Sequence, residues 1–403
     1  MTHIVAIGAG QAGAALMARL RAGGHSGPLT LIGEEPVAPY QRPPLSKDYL
    51  LGEMDAERLH LRAPEFYPEH GITLHLGKPV LAIDRTAKVV TLTGGRTIAY
   101  DQLALTTGSV PNRLPAAIGG DLAGVYTVRT LADVDAMRPE FAAGQRALIV
   151  GGGYIGLEAA SVAAKLGLDV TVVEMGPRIL GRVAAVETSN YFRDLHLGHG
   201  VKILEGAGLE RLLGTLRVTG AVLSGGRELA VDFVVVGVGI RPATRLAEAA
   251  GLVLDNGIAT DARGRTSDPS IWAAGDCASF PWGEGRLRLE SVQNAIDQAE
   301  LVADNMLGGM RDYAPVPWFW SDQYDTKLQI AGLSTGHDRI VTRGPEGEAV
   351  SFWYFRGAEF VAVDAMNDPR AYMVGKRLLE LGQTPDPAKI MDLSLNLKSL
   401  IQR

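Results

Sequence analysis

Two stretches of this chain follow one plan, and that plan leaves few folds open. The first reads Ile4-Val5-Ala6-Ile7-Gly8-Ala9-Gly10-Gln11-Ala12-Gly13, runs into a helical pattern over residues 14–22, and returns as an apolar run over 29–32 that ends at Gly33-Glu34. The second reads Ala147-Leu148-Ile149-Val150-Gly151-Gly152-Gly153-Tyr154-Ile155-Gly156, then a helical pattern over 157–166 and an apolar run over 169–173 that ends at Glu174. A lone glycine-rich turn is a weak signal. Here each turn leaves an apolar strand, opens a helix and meets an acid at the end of the next strand. The first glycine makes the turn, the second lets backbone approach a pyrophosphate, and the third lets the helix pack on the sheet. The helix N-terminus then faces the phosphates. The acid, Glu34 or Glu174, is placed to accept from ribose hydroxyls. The two starts lie 143 positions apart, from Gly8 to Gly151, so they predict two nucleotide-binding βαβ domains and not a short-period solenoid.

The 403 residues accommodate two or three domains of roughly 100–150 residues each. There are 49 glycines in 403 residues, well above the usual ~7% and without a collagen period, as many tight turns require. The net charge of −6 argues against general nucleic-acid binding, which calls for a basic face. Cys277 is the single cysteine, which excludes an intrachain disulfide framework, a thiolate metal cluster and a CxxC redox pair. No metal site is expected. The strand-like start at His3 has no charged and apolar leader ahead of it, and apolar runs such as 233–236 are too short to span a bilayer, so a cytoplasmic protein without membrane contact is expected.

Between the two units, residues 82–92 and 96–105 alternate like the strands of a β-ribbon. Residues 233–238 form an apolar β run that stops at Gly239-Ile240-Arg241-Pro242, and 271–274 form another that ends at Gly275-Asp276. After Pro315-Val316-Pro317 the texture changes. Residues 352–355 and 360–364 read as antiparallel strands and 371–381 as a closing helix, so 314–403 reads as a separate α+β domain. A carboxylate at Glu174 repels a 2′-phosphate and favours NADH over NADPH. Arg178 and Arg182 follow it and leave that choice partly open.

The paired units, with Leu105-Thr106-Thr107-Gly108 and Ala274-Gly275-Asp276, resemble the two-dinucleotide-domain flavoproteins of glutathione-reductase-like architecture. Three segments narrow the resemblance: Pro39-Tyr40-Gln41-Arg42-Pro43-Pro44-Leu45-Ser46-Lys47, Glu290-Ser291-Val292-Gln293-Asn294-Ala295 and Pro317-Trp318-Phe319-Trp320-Ser321-Asp322-Gln323-Tyr324. They are similar to the FAD-dependent ferredoxin reductases of the putidaredoxin-reductase type, over essentially the whole chain. The resemblance implies a discontinuous FAD domain over 1–109 and 243–313, an NADH domain over 110–242 and a C-terminal α+β domain over 314–403.

It assigns Gly8, Gly10, Ala12, Gly13 and Glu34 to the adenosine and pyrophosphate of FAD, and Arg42, Val80, Thr107, Gly108 and Arg129 to FAD as well. Lys47 would approach the isoalloxazine, Asp276 hold the ribityl chain, and the Val292 backbone meet the flavin edge. A cation near the ring stabilises reduced flavin, and a carboxylate after a strand suits a polyol. Outside these motifs the same residues read as a surface lysine and a helix-capping aspartate. Gly151, Gly153, Gly156, Glu174 and Gly239 are implied for NADH. Glu158 is implied to pair with Lys47, and Trp320 to lie beside the flavin, although Trp318, Phe319 and Trp320 also suit a plain aromatic core.

The resemblance implies hydride transfer from NADH to FAD and single-electron delivery to a [2Fe–2S] ferredoxin that serves a cytochrome P450 or similar oxygenase. Alternatives are delivery to rubredoxin, to a dioxygenase ferredoxin or to oxygen, or an NADH-sensing binding flavoprotein of the apoptosis-inducing-factor type. With no paired thiols at Leu45-Ser46-Lys47, thiol relay chemistry is excluded, and Cys277 reads as a small buried residue. Arg286, Arg288, Lys327, Arg370, Lys376 and Arg377 are candidates for a basic patch that docks an acidic ferredoxin. Nothing demands a dimer, and a monomer is expected.

Overall fold

A computed structural model describes residues 1–345 and 349–402. Contacts divide the chain into two compact units, one of Met1–Arg42, Asp55–Val110 and Ile240–Pro315, the other of Pro43–Met54, Pro111–Gly239 and Val316–Arg403.

In the first unit, β1 (Ile4–Ile7), α1 (Gln11–Ala22) and β2 (Leu29–Ile32) form the opening βαβ motif. β1 is the centre of a five-stranded parallel sheet. β2 and then Ile72–His75 follow on one side of it, and Gln102–Leu105 and then Ile271–Ala273 on the other. The period of two decides the layers. Ile4 and Ala6 face the cluster made by Leu16, Met17, Leu20, Ala299, Val302 and Ala303, so α1 and the helix Val292–Met306 cover one face. Val5 and Ile7 face Val80, Ile83, Val90 and Leu92, so an antiparallel ribbon covers the other.

That ribbon differs from the expected one. The run 82–92 is two strands, Val80–Asp84 and Val89–Leu92, joined by a turn in which Lys88 takes a positive φ of 53°. Thr97–Ala99 completes the ribbon, whereas Gln102–Leu105 leaves it for the parallel sheet. Continuous alternation in the sequence hid both breaks.

The second unit repeats the plan with β3 (Arg146–Val150), α2 (Tyr154–Lys165), β4 (Asp169–Glu174) and α3 (Val186–Gly198). Its parallel sheet runs Lys202–Glu205, β4, β3, Phe233–Val236, Val125–Thr127. A three-stranded antiparallel ribbon, Leu209–Gly214, Val218–Leu223 and Glu228–Ala230, is again inserted before the fourth strand. The edge strand differs in origin: it precedes β3 in the chain here and follows the other strands in the first unit.

The same unit contains a five-stranded antiparallel sheet that begins with β5 (Trp318–Gln323). Its strands Val350–Arg356 and Glu359–Met366 pair antiparallel, and the helix Pro369–Glu380 closes it, as the sequence pattern suggests. This sheet is joined to α2 and α3 by buried polar contacts. Ser321 bonds to Glu158, His196 to Gln323, and Thr188 to Asp364. Apolar patterning marks the tail as distinct, and these contacts pack it against the helices of the second βαβ motif.

Candidate functional site

Each glycine loop has the shape a pyrophosphate needs. In the first unit Gly8 sits at φ +115°, and a Cβ there would stand 2.1 Å from the Thr106 carbonyl oxygen. A Cβ at Gly13 would meet the Gly8 oxygen at 2.1 Å, so this residue lets α1 start directly over the turn. A Cβ at Gly10 would meet nothing within 4 Å: the space in front of this glycine is open, at the N-cap of α1. The two crowded glycines therefore serve the backbone, and the uncrowded one faces free volume at the positive end of a helix. Ala12 is buried in the first turn of α1, against the position a Cβ of Gly275 would take.

Thr106 fastens this loop, its hydroxyl donating to the carbonyls of Ile7 and Gly8. Thr107 donates to the Ala243 carbonyl, and Gly108 follows at φ +67°. Asp276 accepts from the Ser109 hydroxyl at 2.8 Å. Val292 is the first residue of its helix, just after the N-cap Ser291, and Val80 is buried in the ribbon. Glu34 is exposed at the end of β2. Its neighbour Glu35 accepts from Tyr40 and Arg42 at 2.6 Å each, so Arg42 is held in a small cluster beside the strand end. Cys277 is fully buried, with its thiol donating to the Leu105 and Ala274 carbonyls, and burial raises its pKa. A thiol so placed is inert.

In the second unit Gly151 takes φ +103°, with a Cβ position 2.4 Å from the Gly237 oxygen, and Gly156 would collide with the Gly151 oxygen at 2.2 Å. Gly153 faces open space again, its nearest neighbour being the Gly237 oxygen at 4.0 Å. Glu174 accepts from the amides of Gly152 (2.8 Å) and Gly176 (2.7 Å), one on each carboxylate oxygen. A carboxylate keeps further lone pairs for ribose hydroxyls. Gly239, at φ +92°, lies beside the Arg182 guanidinium, and Asn112 bonds to the carbonyls of Gly239 and Val238. Arg178 is spent on the carbonyls of Ala184 and Ala185, which leaves Arg182 as the arginine near the loop.

The second unit also brings Lys47 and Glu158 together. The ammonium of Lys47 lies 2.9 Å from Glu158 Oε1, with only 16% and 7% of the two side chains exposed. A tight turn over Pro43–Ser46 delivers Lys47, and the second turn of α2 delivers Glu158. Ser46 donates to Glu158 Oε2 and Ser321 to Oε1, each at 2.7 Å. Neither serine was singled out in the sequence. A signal for Ser321 existed: alternation along β5 puts Phe319, Ser321 and Gln323 on one face, and Ser321 and Gln323 are fully buried polar residues. Phe319 packs on Tyr154 of α2, so that face meets the helix that carries Glu158.

Trp320 lies on the opposite face, half-buried, with its ring 5.7 Å from that of Trp318. Trp318 packs against Tyr372 and the C-terminal core. Arg129 is half-buried, its amide donating to Asp133. Of the candidate docking cations, Arg286 and Arg288 bond within the first unit, and Lys376 and Arg377 pair with Glu380. Lys327 and Arg370 are exposed. Among the described residues no group of acids, histidines and cysteines could hold a metal ion, and no helix is long and apolar enough to cross a membrane.

Comparison with known proteins gives two family matches, pyridine nucleotide-disulphide oxidoreductase over residues 2–299 and reductase C-terminal over 318–401. The chain is 43% identical to rhodocoxin reductase of Rhodococcus erythropolis, covering 98% of this chain and 93% of that protein. It is 39% identical to putidaredoxin reductase of Pseudomonas putida, covering 99% and 96%. Among solved structures it resembles the covalent putidaredoxin reductase–putidaredoxin complex at a TM-score of 0.96, with 38% identity and 99% and 98% coverage. A ferredoxin reductase from Rhodopseudomonas palustris gives a TM-score of 0.95 at 38% identity, with 99% of each chain covered.

Proposed function

This chain belongs to the pyridine nucleotide-disulphide oxidoreductase family, and from that premise we propose how its residues divide the work of an NADH:ferredoxin reductase. The protein is an oxidoreductase that uses FAD and NAD(H) and acts with a ferredoxin. FAD, when bound, supplies the step from two-electron to one-electron chemistry, accepting a hydride and releasing electrons singly.

The chain's own groups bind and orient. In this reading, residues 1–109 and 243–313 hold FAD. Gly10 admits its pyrophosphate to the N-terminus of α1, Glu34 accepts from its ribose, and Thr107, Gly108, Asp276 and Val292 line the remainder. Residues 110–242 hold NADH, with Gly153 admitting the pyrophosphate and Glu174 the ribose, and Gly239 near the nicotinamide end. Glu174 favours NADH because its carboxylate, already fixed by two amides, stands where a 2′-phosphate would bring like charge. Lys47 keeps a positive charge toward the isoalloxazine, and Glu158 holds that ammonium in place. Val80, Arg42, Arg129 and Trp320 are assigned to the flavin on resemblance. A cytoplasmic place of work and a [2Fe–2S] ferredoxin feeding a cytochrome P450 or similar oxygenase complete the proposal.

The observation that carries the reading is the pair of loops in which only the middle glycine faces open space, at the head of a helix. Cytochrome c reduction with NADH tests the whole. It should be fast only with added ferredoxin. Turnover that ferredoxin does not accelerate, with a long-lived reduced enzyme–NAD⁺ complex, would favour a binding flavoprotein instead.

A further inference from the structure

Glu158 is the end of an oriented chain of hydrogen bonds that starts well away from it. Tyr324 Oη lies 3.1 Å from His196 Nδ1, His196 Nε2 lies 2.8 Å from Gln323 Oε1, Gln323 Nε2 donates to Ser321 Oγ at 3.2 Å, and Ser321 donates to Glu158 Oε1 at 2.7 Å. His196, Gln323 and Ser321 are fully buried.

The chemistry allows one direction of donation. Glu158, paired with Lys47, can only accept, so the Ser321 proton points at it. Ser321 Oγ then accepts from the amide of Gln323, which turns the Gln323 oxygen toward His196. Burial lowers the His196 pKa to about 4, so the ring is neutral and carries one proton. That proton is on Nε2, because Nε2 faces an oxygen. Nδ1 therefore accepts from the Tyr324 hydroxyl. Every member donates toward Glu158, and such chains polarise one another. The chain begins at the turn after β5, passes through α3, and returns along β5 to α2.

We propose that Ser321, set by Gln323 and His196, is a positioning residue for the reductase reaction: through it the C-terminal sheet fixes the Glu158 carboxylate and hence the Lys47 ammonium. Ser46 holds the second oxygen from the Lys47 side. The carboxylate is thus gripped at both oxygens, by one hydroxyl from the turn that carries Lys47 and one from the sheet that carries Trp320. The inference rests on the reading that the Lys47–Glu158 pair serves flavin reduction.

Stopped-flow reduction of the holoenzyme by NADH tests it. Ser321→Ala should lower the limiting rate about tenfold, as loss of a hydrogen bond to a charged group does, while the apparent Kd for NADH stays within about twofold. Ser321→Thr should restore the rate. Gln323→Leu should lower it less, by roughly threefold, with FAD content unchanged. In a Glu158→Gln background Ser321→Ala should add nothing, since the serine acts through that carboxylate. A full rate in Ser321→Ala, or losses that multiply in the double variant, would overturn the inference while leaving the pair's role intact. An unimpaired Glu158→Gln enzyme would overturn the reading beneath it and the inference together. If Ser321→Ala gives no folded holoenzyme, Gln323→Leu decides, and a full rate there counts against the proposal.

Discussion

In the first glycine loop the crowded wall is Thr106, whose hydroxyl reaches back to the Ile7 and Gly8 carbonyls. In the second loop the same wall is Gly237, which has no side chain, and Glu174 fastens the loop instead through the amides of Gly152 and Gly176. The acids at the strand ends are thus unequal. Glu34 is exposed and has no hydrogen bond to a described residue, so its carboxylate is unengaged, whereas Glu174 is part of its loop's frame. One fingerprint is built by two different means. A loop locked from a neighbouring strand suits a cofactor that stays. On the proposed assignment, a loop whose acid is also part of its frame couples its own order to a nucleotide that comes and goes.

The largest effects should come from the glycines that the backbone itself requires. Gly8→Ala and Gly151→Ala each force a Cβ onto a carbonyl at a positive φ, strain of about 1–3 kcal/mol before the clash is counted. Gly8→Ala should yield colourless protein. Gly151→Ala should stay yellow and lose roughly 100-fold or more in kcat/KM for NADH, since misplacement of about 1 Å costs that much. A yellow Gly8→Ala protein with impaired NADH use would exchange the two assignments.

The acids give the next test. Glu174→Ala should raise the KM for NADH about tenfold and lower the Tm by about 2–4 °C, because two amides lose their acceptor. Glu34→Ala should weaken FAD binding about tenfold and leave the Tm of the apoprotein within about 1 °C, having no frame to lose. Equal thermal shifts in the two variants would erase the contrast.

A smaller, pH-dependent effect belongs to the second unit. His196 has its pKa lowered from 6.5 to about 4 by burial. For a base depressed on folding, the unfolded chain binds the proton first. Stability is therefore full above pH 6.5 and is lost as pH falls toward 4, by at most roughly 3 kcal/mol. Denaturant melts should show the native protein losing stability relative to His196→Gln over that window, and parallel curves would contradict the buried neutral ring. Smallest of all, Cys277→Ser should leave turnover within about twofold, because the buried thiol takes no part.

The sequence carried more of the fold than of the site. The two βαβ starts, their acids and the C-terminal hairpin were legible because each has a local signature: a period, a glycine spacing, an alternation. The break at Lys88 and the departure of Gln102–Leu105 to another sheet were not, since alternation looks the same in ribbon and sheet. The residues that grip Glu158 were invisible for a different reason. Ser46, Ser321, Gln323 and His196 are ordinary polar residues, and only long-range packing makes them neighbours. Tryptophans drew attention to the segment 318–324, but Phe319, Ser321 and Gln323, which alternate with them, make its contacts to α2 and α3.

If the first loop holds FAD and the second NADH, substitutions at their open glycines act on different nucleotides. Gly10→Ala and Gly153→Ala are the cleanest such pair, because neither added Cβ touches protein closer than 4.0 Å and the backbone should not object. FAD-to-protein ratio and KM for NADH, measured on both variants, should separate. Gly10→Ala should lose FAD affinity about tenfold with KM unchanged in the reconstituted enzyme, and Gly153→Ala should keep full FAD while its KM rises about tenfold. Loss of FAD from Gly153→Ala, with Gly10→Ala fully flavinated, would reverse the assignment of the two loops.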